Sequence, residues 1–188
     1  MRELGHRCAL VGGLAVSARA RERFTKDVDL AVAVASDAEA EALALGMQRR
    51  GFPLLAVVEQ EAKGLVATLR FADPTLDPAE PTIDLLCASC GIEPEIVAAA
   101  SAVALVAGVV IPIASLAHLV AMKVLSMSDV RDQDRGDVRA LLSAASPRDL
   151  DDARDAVALI ASRGFHRDKD LAAELERMIH LVRQRPAR

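Results

Sequence analysis

The stretch Arg23-Phe24-Thr25-Lys26-Asp27-Val28-Asp29-Leu30-Ala31-Val32-Ala33-Val34 decides how this chain folds. From Asp27 onward it alternates, with Val28, Leu30, Val32 and Val34 on one parity and Asp27, Asp29, Ala31 and Ala33 on the other. A period of two belongs to a β-strand with one buried face, so the two aspartates leave the strand on the same side. Neighbouring carboxylates repel, and the arrangement is costly unless a cation stands with them.

Upstream, the short apolar run Cys8-Ala9-Leu10-Val11 stops at Gly12-Gly13 and is followed by an Ala- and Arg-rich segment that includes Ser17. This predicts strand, glycine turn and helix, with backbone amides and a positive helix terminus free to face a phosphate. Between this turn and the aspartates stand Arg23, an always-charged fork suited to phosphate, and the hydroxyl of Thr25. Downstream, Ser36-Asp37-Ala38-Glu39 predicts a capping box opening a helix that Gly51 ends. Runs over 54–59 and 65–71 are strand-like, the proline-rich 73–81 reads as a loop, and 82–87 forms a further strand carrying Asp84. Magnesium takes hard oxygen ligands and leaves room for phosphate oxygens, so Asp27, Asp29 and Asp84 together suit two-metal phosphoryl chemistry.

A helix near 93–101 and a hairpin over 103–113 close an α/β part at about residue 114, and the remainder, 115–188, is predicted helical. Its first helix, capped by Ser115, places Leu116, Leu119, Val120 and Lys123 on one stripe; the next places Asp134, Asp137, Val138 and Leu141 on another. Charges at core-facing positions are expensive in a sealed core, so a wet cleft that admits a nucleotide is expected near Lys123 and Asp134.

Composition narrows the class further. The 188 residues are 52% hydrophobic but hold four Phe and no Trp or Tyr, which leaves few platforms for stacking bases and argues against an aromatic single-strand-binding module. The net charge of -4 argues against nucleic-acid binding by the whole surface. Three cysteines and no signal-like start predict a cytoplasmic protein. Gly108, Pro112, Ser115 and His118 interrupt the most apolar stretch, so no membrane span is expected. Cys87 and Cys90 lack a second pair for zinc, the four histidines show no ligand spacing, and Arg177, Arg183, Arg185 and Arg188 read as a solvated basic end.

Gly12-Gly13, the Arg23-x-Thr25-x-Asp27-Val28-Asp29-Leu30 segment and Ile83-Asp84-Leu85 together resemble the DNA polymerase beta-like nucleotidyltransferase superfamily. Within it, the paired glycines and the later Lys123 with Arg131-Asp132-Gln133-Asp134-Arg135-Gly136-Asp137 look like the AbiEii-type toxin nucleotidyltransferases. The resemblance implies an α+β nucleotidyltransferase fold with a mixed, twisted sheet followed by a helical part. It also implies transfer of NMP from an NTP with release of pyrophosphate, in a toxin paired with an antitoxin and in some members acting on tRNA. On that resemblance Asp27, Asp29 and Asp84 bind Mg2+ or Mn2+. Gly12, Gly13, Ser17, Arg23 and Thr25 hold the nucleotide, and Lys123 with Asp134 contacts the nucleotide or assists the acceptor. Gln133 departs from the lysine often found there, and no helix is predicted before the first strand. Asp84 is also the candidate base. Two alternatives are modification of a cationic small molecule such as an aminoglycoside, for which Glu59, Glu61, Asp73 and Asp77 provide acidity, and an inactive nucleotide-binding or antitoxin-like partner.

Overall fold

A computed structural model of the chain describes residues 1–76, 81–106, 108–128 and 132–184. It falls into two compact units: one of Met1–Ala15, Arg23–Ser89 and Glu93–Ala114, the other of Val16–Glu22, Cys90–Ile92 and Ser115–Arg188.

The first unit is built on a seven-stranded sheet ordered β3-β4-β5-β2-β1-β7-β6. Its strands are β1 (Cys8–Leu10), β2 (Val28–Val32), β3 (Leu54–Gln60), β4 (Leu65–Ala72), β5 (Thr82–Leu86), β6 (Ser101–Val106) and β7 (Val109–Ile113). The β2/β5 and β1/β7 pairs are parallel and the others antiparallel, which makes the sheet mixed as expected. Helix α1 (Gly12–Arg19) starts in this unit, and α2 (Asp37–Gln48) and α3 (Glu93–Ala98) lie within it.

The alternation in β2 does its predicted work. Leu30 and Val32 face a core made by Leu43, Ala44 and Met47 of α2 with Leu69, Phe71 and Leu85 of the neighbouring strands, leaving the aspartate parity to the opposite face. Only half of the predicted capping box at α2 forms. The Ser36 hydroxyl accepts the Glu39 amide, but the Glu39 carboxylate accepts the amide of Ala35 rather than that of Ser36. A 3-10 turn over Arg2–Leu4 precedes β1, where no helix was expected.

The second unit holds α4 (Leu116–Ser126), α5 (Asp132–Ala144), α6 (Pro147–Ser162) and α7 (Leu171–Arg183). Ser115 caps α4, and α6 opens on a complete capping box between Ser146 and Asp149 with Pro147 in its first turn. Asp170, two residues after the expected start, caps α7 by accepting the Ala173 amide. The unit's core runs through Val120, Val124, Val138, Leu141, Ile160, Leu171 and Leu175, all nearly sealed from solvent. Lys169 donates to the carbonyls of Leu125 and Met127, satisfying groups that the end of α4 leaves open.

Candidate active site

In the first unit, the pairing register decides which side chains meet. Asp29 on β2 lies directly opposite Asp84 on parallel β5, and Asp84 lies directly opposite Arg70 on antiparallel β4. Directly opposed residues project to the same face, so the three form a row across adjacent strands. Both oxygens of Asp84 accept from Arg70, Nε to Oδ1 at 2.8 Å and Nη2 to Oδ2 at 2.6 Å. This bidentate bond holds the Arg70 guanidinium above its ordinary range; partial burial works the other way, and the charges of Asp84, Asp27 and Asp29 add to the rise. Asp27 stands at the head of β2, where its Oδ1 accepts the Thr82 amide at 3.0 Å and the Thr82 hydroxyl at 3.2 Å.

The glycine turn meets this row at its other end. The amide of Val11 donates to the carbonyl of Asp29 at 2.9 Å, which carries the strand pairing up to Gly12. Gly12 has φ 62, in the left-handed region, and a Cβ placed on it would lie 1.8 Å from Asp29 Oδ2. A Cβ on Gly13 would lie 2.4 Å from Arg23 Nη2 and 2.8 Å from Thr25 Oγ1. Glycine is therefore required at Gly12, to admit the carboxylate, while at Gly13 the absence of a Cβ lets the Arg23 and Thr25 side chains come close. Of the expected residues, Gly12, Gly13, Arg23, Thr25, Asp27, Asp29 and Asp84 all gather in this unit. Phe24, between Arg23 and Thr25, is 82% exposed.

Ser17, Lys123 and Asp134 belong to the second unit. There Lys123 Nζ reaches Asp134 Oδ1 at 2.7 Å and Asp137 Oδ2 at 2.9 Å, with all three side chains largely buried. The misplaced charges of the two stripes are thus each other's partners, tying α4 to α5. Asp77, Arg131, Arg185 and Arg188 lie outside the described residues.

Among the described residues, no group of three histidine, cysteine or acidic side chains stands together as metal ligands. The donor set still fits a hard divalent cation in type and in order along the sheet: Asp29 and Asp84 are opposed partners, and Asp27 immediately precedes the strand that carries Asp29. In the arrangement present, Arg70 donates to Asp84 and Thr82 donates to Asp27. Sequence reasoning missed Arg70. Its trace was a lone charge in the apolar run Leu65–Ala72, on the parity opposite buried Leu69 and Phe71.

A mixed sheet that seats a carboxylate row beside a glycine-opened helix has the build of a nucleotidyltransferase, and comparisons with known proteins agree. Residues 1–187 match the family described as "Nucleotidyl transferase AbiEii toxin, Type IV TA system", and the chain belongs to that family. A crystal structure of an antigenic nucleotidyltransferase-like protein from Paracoccidioides brasiliensis matches with a TM-score of 0.50 at 18% identity, covering 93% of this chain and 86% of that one; at that identity the likeness concerns the fold alone. A search of curated proteins finds no match. The chain is a nucleotidyltransferase of a toxin family from type IV toxin–antitoxin systems. No helix among the described residues is long and apolar enough to cross a membrane.

Proposed function

We propose that this enzyme transfers NMP from an NTP to a hydroxyl of tRNA, at a magnesium site held by Asp27, Asp29 and Asp84. The observation that carries the reading is the β2/β5 register, which opposes Asp29 and Asp84 on one face beside the Gly12-Gly13 turn. When bound, the divalent ions would lower the pKa of the attacking hydroxyl and neutralise charge on the leaving pyrophosphate.

The chain's own residues prepare the rest. The amides at the start of α1 and the Arg23 fork are disposed to hold the triphosphate, with Thr25 beside Arg23 over Gly13. Asp29 is framed by Gly12 on one side and Asp84 on the other, which limits where its carboxylate can point. Asp84, expected as ligand or base, accepts from Arg70 at both oxygens, so in either role it would share them with that guanidinium. For Lys123 and Asp134, contact with nucleotide or acceptor remains an assignment from the sequence, since each is the other's partner within the second unit.

Purified protein incubated with each radiolabelled NTP and total tRNA, in Mg2+ or Mn2+, tests the reading. Label should appear on tRNA with one preferred NTP and vanish in Asp29→Asn, whose melting temperature should stay near that of the wild type. Transfer retained in Asp29→Asn would sink the site assignment. Label on an aminoglycoside instead of tRNA would sink the acceptor.

A further inference from the structure

The sheet carries its own cation at the carboxylate row. Arg70 reaches Asp84 with both arms of its fork, and its side chain is 47% exposed while that of Asp84 is 10% exposed. The strand it interrupts is otherwise Leu-Val-Ala-Thr-Leu before it and Phe-Ala after it, and the buried Leu69 and Phe71 face the other way. Packing therefore gives no reason for an arginine at this position. Electrostatics does, because Asp29 and Asp84 are opposed neighbours and Asp27 stands two residues before Asp29, just ahead of the strand. Like charges set directly across a strand pair destabilise it.

We propose that Arg70 is a positioning residue of this site: its fork holds Asp84 in the row, and its charge keeps the aspartates together until a divalent cation joins them. The inference rests on the metal reading above for the cation's arrival, whereas the neutralising role of Arg70 stands on the strand register alone. Because a guanidinium keeps its charge at any working pH, Arg70 opposes cation binding while it supports the metal-free fold. Removing it should therefore have opposite effects on stability without metal and on affinity for metal, a pair of changes that a packing role does not produce.

The test is thermal unfolding of the full chain in EDTA and along Mg2+ and Mn2+ titrations, for wild type, Arg70→Gln, Arg70→Lys and Arg70→Gln combined with Asp29→Asn. In EDTA, Arg70→Gln should melt lower by about 2–4 °C. It should gain more than the wild type on adding Mg2+, with an apparent affinity roughly tenfold tighter. Arg70→Lys keeps the charge without the fork and should retain most of the metal-free melting temperature, which guards against a glutamine variant that fails to fold. Asp29→Asn, by removing one repelling charge, should restore part of the loss. A loss in Arg70→Gln that is equal at every metal concentration and unrelieved by Asp29→Asn would overturn the proposal. If neither wild type nor Arg70→Gln responds to either metal, the metal reading fails, and relief by Asp29→Asn in EDTA still decides the role of Arg70.

Discussion

Two adjacent glycines show how much one missing methyl group sets at this site. At Gly12 the left-handed backbone and the Asp29 carboxylate both exclude a Cβ, and neither can give way without moving the row. Gly12→Ala should cost at least about 2 kcal/mol and abolish transfer. At Gly13 the nearest obstacle is the far end of Arg23, a flexible side chain that can swing aside. Gly13→Ala should fold with a change below about 1 kcal/mol and mainly raise KM for the NTP, because the arginine fork is displaced. Paired melting curves and steady-state kinetics for the two variants check this; similar behaviour of both would show that the turn serves only to connect β1 to α1.

At the scale of elements, α4 and α5 are joined through charge as well as through apolar packing. Lys123 lies between Asp134 and Asp137, all three largely buried, and its ammonium offsets the charge of both carboxylates. Lys123→Met should destabilise the protein by about 3–5 kcal/mol, the usual result of leaving a buried charge without its partner. Differential scanning calorimetry measures it. A variant that melts like the wild type but no longer transfers NMP would instead place Lys123 in the chemistry, as its position in the sequence suggested. Helix α6, by contrast, is secured by local means, since Ser146, Pro147 and Asp149 complete its N-terminus within four residues.

For the molecule as a whole, the sealed sheet core offers a reporter of unfolding. Cys87 follows β5, is buried, and burial pushes its thiol up to about 12, with the charges of Glu93, Asp37 and Glu39 adding to the rise. At neutral pH such a thiol is neither accessible nor ionised. Iodoacetamide followed by mass spectrometry should leave Cys87 unmodified in the native protein and alkylate it fully in denaturant. Rapid native labelling would mean that this core opens far more readily than its packing suggests.

By itself the sequence determined what is encoded by spacing along the chain. The alternation from Asp27 to Val34 put both aspartates on one face, Gly12-Gly13 placed a turn before a helix, and Ser36, Ser115 and Ser146 marked helix starts; each depends only on residues a few positions apart. The tertiary structure decided what depends on register. Nothing in the spacing says that β5 slots beside β2 so that Asp84 meets Asp29, or that β4 then brings Arg70 onto Asp84. Nor does it say that Lys123 spends its charge on Asp134 and Asp137. Strand pairing and helix packing join residues far apart in the chain, and a shift of one residue in a strand would turn every one of its side chains to the other face.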